Sequence, residues 1–243
     1  MTTEARPAFY ALAPGGWRDY VTLLHPPYTL WHLSYVAIGA TLAPHLHPWR
    51  LAATAAAFFL ALGVGAHALD ELNGRPLRTR IGSGTLVGLA AVSIGGAVAI
   101  GIVTAVELDL WLLAFVACGG FIVCAYNLEL FGGLFHNDAW FALAWGAFPV
   151  LTGYFAQAHR IRTETLLAAV FAALLSLAQR QLSTQVRTVR RRVRSVSGTI
   201  ELDDGRREPV TPSSLMGAPE AALRSLTAAT VVLAAALLVL RLA

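Results

Sequence analysis

The stretch GAHALDELNGRPLRTRI, Gly65 to Ile81, sets an imidazole and two adjacent carboxylates at the end of an uncharged run. The fifteen residues from Leu51 to Gly65 carry no charge at all. At about 100° per residue, His67, Asp70 and Glu71 share an arc of roughly a quarter turn, with Gly63 and Gly74 in the same arc. Gly74 and Pro76 then end the helix. A hard cation such as Mg²⁺ takes one or two protein carboxylates and leaves its other positions to water and substrate phosphate. Asp70 and Glu71 are therefore the candidate metal ligands, and His67 is a catalytic base or supporting group. Arg75, Arg78 and Arg80 are candidate clamps for a diphosphate. The competing reading is a membrane boundary where the two acids simply pair with those arginines.

Two further stretches carry chemistry. In SLAQRQLSTQVRTVRRRVR, Ser176 to Arg194, Gln181 and Gln185 lie four apart on one helical face. Arg187, Arg190, Arg191 and Arg194 form a row at i, i+3, i+4 and i+7. Such a row suits anionic headgroups or a diphosphate, and equally an ordinary basic anchor at a membrane surface. In YNLELFGGLFHNDAW, Tyr126 to Trp140, Tyr126 and Asn127 close a helix as candidate substrate contacts, followed by Glu129, His136 and Asp138. Pro149, with Gly146 and Gly153, marks a kinked helix beyond it.

The elements that must position these groups are read from hydropathy. The chain is 56% hydrophobic and 13% charged, against about 25% charged in a soluble domain. The apolar residues fall in seven blocks, 28–44, 50–70, 84–106, 110–131, 139–158, 164–183 and 221–242. Each is close to the ~20 residues that span a bilayer core. Backbone polar groups in lipid must be satisfied internally, and these runs are continuous rather than alternating, so the expectation is an all-α polytopic membrane bundle of about seven transmembrane helices. The order along the chain is a cytoplasmic or interfacial segment at 1–27, a six-helix bundle at 28–183, a basic cytoplasmic loop at 184–220 and a C-terminal transmembrane helix at 221–243. The first 25 residues contain no signal peptide. Every basic residue is Arg. With the N-terminus cytoplasmic, twelve arginines fall on inside segments and four on outside ones. This is the positive-inside bias, and it sets the C-terminus outside a multi-pass protein of the cell membrane. The net charge of +4 calls for no nucleic-acid partner. Cys118 and Cys124, in one helix, read as buried packing residues.

Taken in order, these motifs resemble the UbiA superfamily of intramembrane aromatic prenyltransferases over roughly residues 20–186. LHPPYTLWHLSYVAIGA, Leu24 to Ala40, looks like the family's approach to its first helix. GAHALDELNGRPLRTRI occupies the place of its first acidic motif, with His67 at the motif's Asn, Glu71 at the next acid, and Arg75–Pro76–Leu77 matching. YNLELFGG and WGAFPVLTGYF are similar to its fourth-to-fifth helix connection. The resemblance implies a helical bundle around a lipid-facing cavity, Mg²⁺ held by acidic motifs on the cytoplasmic side, and a polyprenyl diphosphate whose departure leaves an allylic cation for an acceptor. Gln181 and Gln185 stand at the spacing of the second acidic motif. An amide coordinates without adding charge, so this is a divergent member. The family's bundle also has two helices more than the seven blocks here, which leaves room for an oligomer or a partner subunit. The expected function is a UbiA-like prenyltransferase acting on an isoprenoid diphosphate or related lipid, with Mg²⁺ assisting diphosphate departure. The alternatives are a non-catalytic lipid-binding or scaffolding relative and a small transporter.

Overall fold

The computed structural model describes residues 6–243. Its elements are α1 (Trp17–Leu23), α2 (Pro26–Leu42), α3 (Pro48–Leu72), α4 (Ser83–Leu108), α5 (Leu112–Asn127), α6 (Asp138–Ala158), α7 (Thr163–Arg192), a hairpin of β1 (Thr199–Glu201) and β2 (Arg207–Pro209), and α8 (Pro212–Leu242). A short helical turn, Leu130–Gly133, lies between α5 and α6. Every apolar block of the sequence falls on one of α2 to α8. Among the described residues, α3, α4, α6, α7 and α8 are long and apolar enough to cross a membrane. α2 and α5, with 17 and 16 residues, are shorter. The protein is a helical membrane bundle.

Local chemistry sets the helix starts. Pro26 and Pro27 open α2, and Pro48 opens α3, where a missing N–H costs nothing. Asn137 caps α6 by accepting from the Trp140 N–H at 3.0 Å. Thr211 and Ser214 cap α8 reciprocally. Of the basic loop expected at 184–220, the part outside helices is 193–211. α7 runs on to Arg192 and α8 begins at Pro212, with Pro219 tolerated inside it. The two extensions are tied together by Arg190, whose Nε donates to Glu220 Oε1 at 2.9 Å.

The bundle is layered by exposure. Within the apolar window of α6, 67% is buried; in α4 and α8 the share is 22%. α6 is thus the central post, and α4 and α8 are outer staves. Their outward faces carry Val92, Val103, Val106, Val232, Leu233, Val239 and Leu240, all exposed. Such a girdle is stable only against hydrocarbon. Cys118 belongs to this outward surface rather than to the core.

α6 holds its neighbours by backbone contact. A Cβ at Gly153 would lie 2.3 Å from the Val36 carbonyl oxygen of α2, and one at Gly39 would lie 2.1 Å from the Val150 carbonyl oxygen of α6. The two helices therefore touch twice through glycine, each glycine seated on the other's carbonyl. Gly146 approaches α7 in the same way, 2.5 Å from the Ala172 oxygen. Around these contacts pack Trp31, Tyr35 and Val150, all fully buried. The Trp31 indole N–H donates to the Tyr35 hydroxyl at 2.6 Å. Gly153→Val must force α2 off α6, at an overpacking cost of about 1–3 kcal/mol or more. The expected outcome is a lower melting temperature in detergent, while Gly84→Val, in open space at the start of α4, leaves it within error.

Candidate functional site

α3 delivers the predicted residues. Its middle, Phe59–Ala66, is wound as π-helix, a widened geometry common at functional sites. The next turn begins with His67, whose Nδ1 lies 3.0 Å from the Gly63 carbonyl oxygen. Asp70 follows and faces a cavity of about 180 Å³ inside the bundle, at the end where the arginines of α7 gather. His67, Tyr126, Asn127 and Arg187 line the same cavity. Five residues of the sequence-derived site are thus brought together: His67, Asp70, Tyr126, Asn127 and Arg187.

Glu71 is placed elsewhere. It is fully buried, one residue round the helix from Asp70, and faces the loop that follows. Its Oε2 accepts from the Leu77 N–H at 2.9 Å, and its Oε1 accepts from the Thr79 N–H and the Thr79 hydroxyl, both at 2.8 Å. Both carboxylate oxygens are spent on folding Asn73–Arg80. Arg75 serves that loop too, donating to the Ile81 carbonyl at 2.6 Å and the Ser83 hydroxyl at 2.9 Å. Arg78 and Arg80 are exposed, and none of the three arginines lines the cavity. The wide arc that joined Asp70 to Glu71 on the helix is divided between two environments.

On α7 the register differs from the expectation. Gln181 and Gln185 share a face, but both are exposed, and Gln185 reaches the Leu215 carbonyl at 3.4 Å. The cavity face is Gln179, Arg180, Ser183, Val186, Arg187 and Arg191. A periodic row of small and polar residues, Ala169, Ala172, Ser176, Gln179 and Ser183, is buried along the helix. That row is the signal in the sequence that marks the inward face. Arg180 is anchored at the cavity wall by Asp138 of α6 and by the Tyr126 hydroxyl, and it lies 5.0 Å above the Phe141 ring. His136 stacks on Tyr126 with centroids 4.4 Å apart.

The segment before α2 roofs the cavity and supplies groups that sequence reasoning passed over. His25 stacks on His67, with ring centroids 4.0 Å apart and planes 10° from parallel. The Tyr10 hydroxyl is 2.9 Å from His25 Nδ1. The strap from Arg6 to Leu12 is held by Arg190 on the Arg6 carbonyl at 3.3 Å, by Arg191 on the Pro7 carbonyl at 3.5 Å, and by Arg224 at 5.0 Å over the Phe9 ring. Buried Asp19 fixes it to the loop after α3, accepting from the Gly15 and Arg80 N–H groups at 2.9 and 3.0 Å. Burial first, then the neighbouring His67, Arg191 and Arg187, pushes the His25 imidazole well below its usual pKa. Burial raises the Tyr10 phenol well above its own.

The donor set does not fit the two-cation site that the resemblance implies. Among the described residues three guanidiniums and one carboxylate face the cavity, and no cluster of three metal-binding side chains occurs. What the arrangement suits is an anion. A second, apolar cleft of about 110 Å³ opens between α3, α4, α5 and α6, and shares the walls Leu62 and Trp145 with the polar cavity. No family model, characterised protein or solved structure matches the chain.

Removing the Glu71 carboxylate leaves three donors without their acceptor, at a cost of roughly 3 kcal/mol. Glu71→Ala is expected to open the loop to trypsin at Arg78 and Arg80, whereas Asp70→Asn keeps the wild-type digestion pattern. His25 is neutral in the fold, so the unfolded chain binds more protons once pH falls below about 6.5. Stability is therefore present above that pH and lost as acid is added. His25→Gln should reduce the acid-side slope of unfolding free energy by about 1.4 kcal/mol per pH unit, one proton's share.

Proposed function

We propose that this protein draws the anionic head of an isoprenoid diphosphate, or a related lipid phosphate, into the polar cavity from the cytoplasmic side, as a divergent UbiA-like prenyltransferase with seven spans. The observation that carries the reading is the three-to-one excess of guanidinium over carboxylate, among the described residues, around a hollow within an apolar bundle. Bidentate guanidiniums match phosphate oxygens and keep their charge when partly desolvated. The apolar cleft beside it, which shares the walls Leu62 and Trp145 with the polar cavity, suits the hydrocarbon tail.

In the transfer reaction the allylic C–O bond breaks and its electron pair leaves with the diphosphate. Arg187 and Arg191 meet the developing charge there. The acceptor then bonds to the allylic carbon and releases a proton. His67 is suited to take it at Nε2, because its Nδ1 is committed to the Gly63 carbonyl. The aromatic walls Tyr126, Phe141 and Trp145 suit an allylic cation. The magnesium role implied by the family resemblance has only Asp70 to rest on, and no step is drawn through it.

A second reading is favoured by Glu71, whose oxygens are committed to the loop, and by Gln181 and Gln185, which lie off the cavity. A relative that lost its acids and kept its arginines would bind the lipid without turning it over.

The test is incubation of the purified full chain in nanodiscs with radiolabelled farnesyl and geranylgeranyl diphosphate, following both retention and diphosphate release. Retention with release supports the transferase, and Asp70→Ala or His67→Ala then lowers release at least tenfold with retention kept. Retention without release supports the binding relative. In either case Arg187→Gln with Arg191→Gln is expected to lower retention at least tenfold. Wild-type protein that retains neither lipid overturns the proposal.

A further inference from the structure

The cavity is lined by residues with polar atoms that the fold leaves without partners, and their chemistry is one-sided. Gln179 is 3% exposed, lines the cavity, and its buried Oε1 accepts no hydrogen bond. His32 and His67 each set Nδ1 against a backbone carbonyl, Trp145 at 2.7 Å and Gly63 at 3.0 Å. A carbonyl only accepts, so those partners assign the proton to Nδ1 and leave a lone pair on each Nε2. His136 repeats the pattern, with Nδ1 3.0 Å from the Tyr126 carbonyl. Among the described residues none of these three Nε2 atoms has a protein donor. His25 Nε2 is buried without a partner as well, its other nitrogen being taken by Tyr10.

Of these acceptors Gln179 Oε1 and His25 Nε2 are buried and unpaired, which is costly, and His32 and His67 line the same cavity, so together they call for a donor. A cation is a poor candidate. Among the described residues Arg187 and Arg191 share the cavity with the acid Asp70, beside Arg180, which is paired with Asp138, so positive charge is already present there. A neutral hydroxyl meets the acceptors without adding charge. Arg187 lies two turns beyond Gln179 on α7, and helical side chains lean toward the helix start. Its guanidinium is thereby brought toward the acceptors.

We infer that the cavity binds the hydroxyl groups of a phosphorylated polyol headgroup, borne on an anionic lipid, with Gln179 Oε1 and the Nε2 atoms of His32 and His67 as acceptors. An isoprenoid diphosphate carries no head hydroxyl, so the head named here is that of the related lipid phosphate of the proposed function, and its phosphate contacts at Arg187 and Arg191 rest on that reading. The hydroxyl contacts rest on the unmet acceptors alone.

The test is native mass spectrometry of the delipidated full chain with lipids of matched acyl chains. Phosphatidylglycerol carries two head hydroxyls, phosphatidic acid none beyond its phosphate, and phosphatidylethanolamine an ammonium. Phosphatidylglycerol is expected to be retained at least about threefold over the other two. Gln179→Met should erase that preference and leave phosphatidic acid binding unchanged. Equal retention of phosphatidylglycerol and phosphatidic acid, a stronger hold on phosphatidylethanolamine, or a preference that survives Gln179→Met overturns the inference. Glycerol 3-phosphate carries the same head without a tail. Failure to displace phosphatidylglycerol at millimolar concentration supports the lipid source, and displacement overturns it. If Arg187→Gln with Arg191→Gln retains every lipid as the wild type does, the anion reading falls while the hydroxyl preference is still read from Gln179→Met.

Discussion

The bundle depends on a contact made without side chains. Gly39 of α2 and Gly153 of α6 each rest on a carbonyl of the opposite helix, and Gly146 repeats the approach toward α7. In lipid there is no hydrophobic effect to press apolar helices together, because the tails outside are as apolar as the core within. Close packing and short-range dispersion must do it, and they reward the nearest possible approach. Drawn in by its glycines, α6 becomes the post on which α2 and α7 are set. The same placement brings His32 of α2 and Trp145 of α6 within hydrogen-bond reach at 2.7 Å, and it faces Arg180 of α7 with Phe141 of α6. The polar cavity is what remains where these helices diverge toward their basic end.

Electrostatics then divides the residues of that end between two tasks. One carboxylate, Glu71, is sunk into the loop after α3 and organises it through three hydrogen bonds. Asp70, its neighbour, is left to the cavity. Asp19 and Glu220 act like Glu71, binding the N-terminal strap and joining α7 to α8. With most acids so committed, the arginines of α7 dominate the hollow. A site that reads as acidic along the chain is lined, among the described residues, by more guanidinium than carboxylate.

That reversal shows how far the sequence reaches. The apolar blocks of Leu51–Gly65 and its counterparts predict helices, because a continuous apolar run leaves the backbone no other way to be satisfied. Gly74 and Pro76 mark the end of α3, and Tyr126 and Asn127, read as substrate contacts, line the polar cavity. Facing is where legibility ends. On a helix bathed in lipid, hydropathy does not separate the inward face from the outward one, so Gln181 and Gln185 were as plausible as Gln179 and Ser183. Charge patterning did not separate them either, since Arg187 and Arg191 share the cavity face with the wanted residues while Arg190 turns to Glu220. The strap was hidden for another reason. Tyr10 and His25 gain their meaning from stacking and contact with His67, more than forty positions away, and no local pattern announces such a meeting.

The strap also imposes an order on biogenesis. Its residues are made well before the arginines that hold it down, Arg190, Arg191 and Arg224. Until α7 and α8 have been threaded into the bilayer, the strap has only its early partners, Asp19, Thr22 and His25, and the arginine clamps on the roof are set after the rest of the chamber.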